Sequence, residues 1–207
     1  MNLTVKTIYG TQAANSHVLI CEESKTAAVF DVGYVSDELL KAIEGYNLEY
    51  IFLTHRHYDH ILGAYELHEK TGAKIVIGEG DAQALSDPAA SLASHAPHMK
   101  FTPTSAGILV ENGDEIVFCS HIINVIATPG HTIGGVCYAV GEHLFTGDTL
   151  FNFSIGRTDL PTGDMAAMRK TLSMLKSLEK NYTIYAGHGD NSTLDFEKKR
   201  NPYLSEA

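Results

Sequence analysis

Long apolar runs, cysteine and positive charge are all scarce in this 207-residue chain, and each shortage removes a class of answer. No stretch approaches the roughly 18 consecutive apolar residues of a membrane-spanning helix, so no membrane role is expected. The opening Met1-Asn2-Leu3-Thr4-Val5-Lys6 has no basic start followed by an apolar core. No export signal is read there, and the expected location is cytoplasmic. Cys21, Cys119 and Cys137 are scattered, odd in number and set among apolar residues. They read as buried free thiols of a reducing compartment, not as a disulfide framework. Lys and Arg number 15 against 25 Asp and Glu, for a formal charge of -10. The positive footprint that a phosphate backbone requires is missing, so no nucleic-acid partner is expected. Repeats and low-complexity tracts are absent as well. With 44% hydrophobic residues the chain can bury a core without cross-links, and it reads as one domain over residues 1–207.

The front half alternates strand-like and helix-like runs. Residues 5–9, 18–21 and 27–31 read as strands joined by polar turns. Ser36 opens a helix with an acidic first turn, and Gly45 closes it. Residues 49–53 are expected as a buried strand, 60–70 as a helix ended by Gly72, 74–77 as a strand and 81–85 as a short helix. The pattern lapses over residues 87–104, which hold Pro88, Pro97 and Pro103 with His95 and His98 between them. Loops of this length in a compact domain serve function or move. Strands resume at residues 108–110, 115–119, 122–127, 135–140 and 143–145. Asp164 caps a helix over 165–178 with apolar residues at helical spacing. A strand at 183–185 and a short helix from Leu194 follow. The order predicts an α/β protein of two mixed sheets, face to face, with helices outside.

Histidine, by contrast, is plentiful and unevenly placed. Directly after Tyr50-Ile51-Phe52-Leu53 stands Thr54-His55-Arg56-His57-Tyr58-Asp59-His60, with four metal-ligating side chains in six residues. Imidazole and carboxylate are ligands that zinc and its neighbours accept, so HxHxDH points to metal-assisted chemistry. Three later segments share one form: an apolar strand, a turn with glycine, then a ligand-type residue. They are Ile126-Ala127-Thr128-Pro129-Gly130-His131-Thr132, Leu144-Phe145-Thr146-Gly147-Asp148-Thr149 and Ile184-Tyr185-Ala186-Gly187-His188-Gly189. Singly, Gly-His or Gly-Asp is ordinary turn chemistry. With the opening motif they assemble five histidines and two aspartates, enough for two metals sharing a bridging carboxylate. His17, His68, His121 and His143 lack such a setting and read as structural or surface residues. His95 and His98 read as members of a solvated loop.

These segments resemble the metallo-β-lactamase superfamily, and the likeness covers nearly the whole chain. It rests on Val29-Phe30-Asp31-Val32-Gly33, HxHxDH, Pro129-Gly130-His131-Thr132, Thr146-Gly147-Asp148-Thr149 and Gly187-His188-Gly189. Two further stretches resemble the glyoxalase II group, in its short bacterial form without a C-terminal helical domain. One is Phe145 to Phe151 with Gly156-Arg157-Thr158-Asp159; the other is the tail from Gly187 through Leu194, with Glu197 and Asn201-Pro202-Tyr203-Leu204. The resemblance implies an αββα sandwich. It also implies His55, His57 and His131 on one metal, Asp59, His60 and His188 on a second, and Asp148 between them. Asp31 is the expected hydrogen-bond partner that orients a ligand histidine. Ile61-Leu62-Gly63 and Ile133-Gly134-Gly135 depart from the family's usual Ile-Gly-Gly and Pro-Gly-Ser, but both spare the ligand positions.

The implied activity is hydrolysis of a small-molecule thioester, S-lactoylglutathione or a related hydroxyacyl thiol, by a hydroxide bridging two divalent ions. Zinc is the first expectation, with iron and manganese as alternatives. Asp59 is the expected catalytic residue, holding a metal and orienting the nucleophile's proton. A thioester suits such a site because its thiolate leaves without prior protonation; a cysteine-like thiol has a pKa of about 8.5. The longer enzymes of the group take their glutathione contacts from a C-terminal helical domain; the resemblance to the short form implies none is expected here, which leaves the thiol open. Arg157 reads as an ion-paired loop residue, and Lys100 as a carboxylate contact resting on charge alone. The rival readings are a persulfide dioxygenase with one iron, a lactone hydrolase of the same fold, and a non-catalytic metal-binding scaffold. A scaffold fits least, since structural zinc sites close on four ligands and often use cysteine.

Overall fold

Burial along each strand shows which layer it occupies in the computed structural model, which describes residues 2–10, 13–96 and 98–205. Met1, Thr11, Gln12, Pro97, Glu206 and Ala207 of the expected 1–207 span lie outside the described residues. Strand β1 (Leu3–Ile8) is only partly buried and forms a sheet edge, while β2 (Ser16–Cys21) and β3 (Thr26–Phe30) are buried throughout. Strands covered on both faces read as continuous apolar runs, and these do. Helix α1 (Asp37–Ile43) begins at Ser36, whose hydroxyl accepts from Leu39 N at 3.1 Å. Then follow β4 (Asn47–Leu53), α2 (Tyr58–Ile61), α3 (Ala64–Thr71), β5 (Lys74–Gly78) and β6 (Ile108–Val110). The first sheet runs β1-β2-β3-β4-β5-β6, antiparallel up to β3 and parallel from β3 onward.

The second sheet takes its strands from the rest of the chain. These are β7 (Glu115–Phe118), β8 (His121–Ala127), β9 (Val136–Val140) and β10 (His143–Gly147). A two-stranded ribbon, β11 (Leu150–Phe151) and β12 (Ser154–Ile155), and helix α4 (Met165–Ser177) precede β13 (Thr183–Ala186) and β14 (Ser192–Thr193). Helices α5 (Leu194–Arg200) and α6 (Pro202–Ser205) follow. The order is β14-β13-β10-β9-β8-β7, with only β10 and β13 parallel.

Three apolar layers hold these parts in helix–sheet–sheet–helix order. Val29, Ile51 and Leu53 face Leu39 and Leu67 of the first helices. Their strand neighbours Phe30 and Phe52 point the other way, into the space between the sheets, where they meet Tyr138 and Phe145. Phe30 stacks on Phe145 at 3.6 Å and on Phe52 at 4.9 Å. Leu144 and Ile184 on the outer face of the second sheet pack on Met168, Leu172 and Leu175 of α4. Each such buried side chain contributes roughly 1.5–3 kcal/mol of transfer free energy.

Three expectations need correction. The helix expected over 60–70 is two pieces, because Val32 N donates to His60 O and Gly63 N donates to Val32 O, which ends the helical ladder between α2 and α3. Cys119 is not buried with Cys21 and Cys137. It sits half-exposed in the β7–β8 turn at φ 54, its sulfur 2.7 Å from Thr26 Oγ1. The 87–104 stretch is not structureless: Ala93–His95 makes a 3-10 turn, and Ser91 is fully buried and accepts from Tyr58 N through its carbonyl. None of the described helices is long and apolar enough to cross a membrane.

Candidate metal centre

Every ligand-type residue singled out in the sequence lies just past the C-terminal end of a strand. β10 runs parallel to β13, and β8 and β10 both run antiparallel to β9, so the ends of β8, β10 and β13 share one edge of the second sheet. They carry His131, Asp148 and His188. β4 of the first sheet delivers His55, His57, Asp59 and His60, and Val136 N donating to Thr54 O links the two edges. Gly187 passes so close to the cluster that a Cβ there would stand 2.4 Å from Asp148 Oδ1 and 2.5 Å from His60 Cε1. Only glycine fits at that position.

The structure brings all seven together. His55, His57 and His131 form one group able to hold a metal ion, and Asp59, His60 and His188 form another. In the first, His57 Nδ1 lies 3.1 Å from His55 Nε2 and 2.8 Å from His131 Nε2. Ligand nitrogens about 3.3 Å apart are what tetrahedral zinc at 2.0–2.1 Å requires. In the second, His188 Nε2 lies 3.2 Å from Asp59 Oδ2, and His60 Nε2 lies 3.8 Å from it. Asp148 stands between the groups, 3.2 Å from His60 Nε2 through one oxygen and 3.5 Å from His131 Nε2 through the other.

Hydrogen bonds behind the cluster decide which nitrogen each ring presents. His60 Nδ1 donates to Asp31 Oδ2 at 2.8 Å, and His131 Nδ1 donates to the Arg157 carbonyl at 2.7 Å. His55 Nδ1 lies 3.1 Å from Thr54 Oγ1, which itself donates to Asp31 Oδ2 at 2.8 Å. All three rings therefore turn an Nε2 lone pair inward. Asp31 thereby orients one histidine in each group, and it also accepts from Thr54 N at 2.8 Å.

The electrostatics favour positive charge at this point. Burial works against a charged His60, yet the Asp148, Asp31 and Asp59 carboxylates outweigh it and push its pKa well above the usual imidazole value. Burial alone would raise the Asp59 and Asp148 carboxyls, but the surrounding imidazoles hold both below the ordinary range. Burial and the neighbouring histidines keep His57 down at about 3 and His55 well below normal, so both are neutral ligands at physiological pH. His60 Nε2 and Asp148 Oδ1 are buried without a hydrogen-bond partner. Buried polar atoms are rarely left so, and two facing the same point fit a cation held there.

Above the groups opens a cleft of about 720 Å³, lined by His57, Asp59, His131, Asp148 and His188 below and by Leu92, Phe151, Leu160 and Pro161 around. Two sequence readings change here. His95 is exposed but lines this cleft, as does Tyr58. Arg157 does pair with Asp159, with two bonds of 2.7 Å, yet it borders the cleft too, and its carbonyl serves His131. Lys100 and His98 line a different surface groove beside Tyr34 and Tyr65.

The family model for the metallo-beta-lactamase superfamily matches residues 10–188, a span that contains both groups. The chain belongs to the metallo-β-lactamase superfamily. Hydroxyacylglutathione hydrolase GloC of Haemophilus influenzae is 31% identical over 196 residues, covering 90% of this chain and 91% of its own. Among solved structures, the BLEG-1 B3 metallo-beta-lactamase superposes with TM-score 0.90 at 30% identity, covering 98% of this chain and 100% of its own. TTHA1623, solved in a di-iron-bound form, gives TM-score 0.82 at 28% identity, with 97% and 99% covered. These likenesses support a metal-dependent hydrolase and confirm two mixed sheets in the superfamily's arrangement.

Sequence reading missed two residues of this superfamily site. Asn15 and Asp81 are buried behind it, and neither carries a spacing signal: Asn15 sits directly before β2, and Asp81 in the first turn of a 3-10 helix, Glu79–Leu85. The apolar cleft wall was equally silent, since Leu92, Phe151, Leu160 and Pro161 come from separate loops.

Proposed function

We propose that this chain is a binuclear metal-dependent thioesterase acting on a hydroxyacyl thiol of the S-lactoylglutathione kind. The observation that carries the reading is the pair of ligand groups, joined by Asp148 and opening onto one apolar-walled cleft. Similarity to GloC supports the thioester over other acyl substrates. Two divalent ions held by His55, His57 and His131 and by Asp59, His60 and His188 would acidify a shared water and polarise the substrate carbonyl. Zinc suits this nitrogen and oxygen donor set, and so do iron and manganese.

The chain's own residues do the rest. Asp59 is part-exposed at the cleft floor and stays deprotonated, so it accepts a hydrogen bond from the attacking water and orients it. The water oxygen bonds to the acyl carbon, the carbon–sulfur bond breaks, and the electron pair leaves on sulfur. The water's proton goes to solvent or to the departing thiolate. Leu92, Phe151, Leu160 and Pro161 thin the water around the scissile bond, which strengthens every charge interaction beneath it.

Metal quantification on the purified protein, followed by assay on S-lactoylglutathione, tests the reading. Two equivalents and turnover are expected, with Asp148→Ala losing on the order of 10²-fold or more. One iron per chain with oxygen uptake on a persulfide would replace it with a dioxygenase. Tight metal binding without turnover of thioester, lactone or persulfide would leave a scaffold. A second reading, β-lactam hydrolysis, is favoured by the likeness to BLEG-1, and a chromogenic cephalosporin in the same assay measures it.

A further inference from the structure

Behind the two ligand groups lie two buried polar residues whose hydrogen bonds go to the segments that carry the ligands. Asn15 is 3% exposed. Its backbone N–H donates to Gly187 O at 2.7 Å, and its Nδ2 donates to Ala186 O at 3.1 Å and Gly189 O at 2.9 Å. The side chain thus brackets Gly187-His188 from both sides, while its Oδ1 accepts from Gly10 N at 3.1 Å. The preceding N–H, of Ala14, donates to Asp59 O at 3.0 Å. Two of the three residues in the second group are tied to residues 14 and 15.

Asp81 does the same for the first group. It is fully buried, and its Oδ2 accepts from Arg56 N at 3.1 Å and from Thr132 Oγ1 at 2.6 Å. Its Oδ1 accepts from Gly134 N at 3.1 Å, with Arg56 Nη1 3.8 Å away. Arg56 stands between His55 and His57, and Thr132 follows His131. The fit is close: a Cβ on Gly134 would stand 2.2 Å from Asp81 N and 2.8 Å from its Cγ. That contact gives Gly134, the position shared with the family's usual Pro-Gly-Ser, a physical reason.

We propose that Asn15 and Asp81 are positioning residues with divided labour: Asn15 sets the Asp59–His60–His188 group, and Asp81 sets the His55–His57–His131 group. Each half of the centre can then be weakened without the other. The inference rests on the binuclear reading above. Isosteric exchange isolates the hydrogen bonds from packing. Asn15→Asp sets a carboxylate against two carbonyl oxygens, and Asp81→Asn turns an amide NH₂ toward groups that themselves donate. An unmatched buried polar group is costly, so the loop in contact shifts.

The test is titration of the metal-free full-length chain with Co(II), followed by visible absorption, on wild type, both variants and each variant combined with His188→Ala. Wild type is expected to bind two equivalents. Asn15→Asp should keep one at wild-type affinity and weaken the other about tenfold or more. In the His188→Ala background, which already lacks a ligand of the second group, Asn15→Asp should add nothing, whereas Asp81→Asn should weaken the remaining equivalent. Such non-additivity is the signature of shared action on one site. Should either isosteric variant fail to fold by circular dichroism, Thr132→Val and Asn15→Ala repeat the comparison without a change of charge. Equal weakening of both equivalents by both variants, or no change by either, overturns the division. Fewer than two equivalents in wild type overturns the binuclear reading along with it, which separates the two failures.

Discussion

At the residue scale, Asp31 carries more than its place in a turn suggests. It sits at φ 57, a left-handed conformation that aspartate tolerates better than most residues, and one carboxylate oxygen serves both His60 and, through Thr54, His55. Asp31→Asn should therefore weaken both metal equivalents by about 10–100-fold, where Asn15 and Asp81 variants each touch one. Calorimetric titration checks this, and an unchanged affinity for either equivalent would contradict it. His17 supplies a different test. Burial holds its pKa at about 4 against an ordinary 6.5, with the Ala186 carbonyl it bonds at 3.0 Å opposing the shift. The unfolded chain takes up this proton first as pH falls. Stability from the neutral ring is complete above pH 6.5, drains away between 6.5 and 4, and changes no further below. The excess stability of wild type over His17→Gln should shrink by about 3 kcal/mol between pH 7 and 4, read from urea midpoints. The ligand-type residues were legible because histidines and aspartates after apolar strands are rare in combination. Asn15 and Asp81 were not, since burial, not residue type, makes them matter.

At the scale of elements, local signals worked where they were long or capped. Helix α4 was readable from its 13 residues and its cap, Asp164, which accepts from Ala166 N at 2.7 Å and Ala167 N at 3.1 Å. Asp164→Ala should cost about 0.5–2 kcal/mol, measured by thermal unfolding, with activity at room temperature kept. Where a distant backbone group intervened, the signals failed. The split between α2 and α3 is made by Val32, almost thirty residues upstream, and the one local trace of it is Gly63, which alone does not tell a break from an ordinary helical glycine. The two-residue strands β11, β12 and β14 are too short to leave a period. The mixed character of both sheets was legible, by contrast, because strands separated by helices pair in parallel and those joined by tight turns do not.

For the whole molecule, the ligands decide how folding and metal are coupled. A cation that binds only the folded chain stabilises it by about 4 kcal/mol at a thousandfold excess over its Kd. Chelation should accordingly lower Tm by several degrees, at roughly 2–4 °C per kcal/mol for a chain of this size, and re-addition should restore it. A Tm indifferent to chelator would mean that the cluster is held without a metal's help. Each ligand group draws on both sheets, with His55 and His57 from the first joined by His131 from the second, and Asp59 and His60 joined by His188. The boundary between sheets falls at the exposed turn between β6 and β7, around Asn112 and Gly113. A chain cut there would yield two fragments, each holding an incomplete half of both ligand sets. The metal would then act as a reversible rivet between them, and recovered turnover would count reassembled molecules.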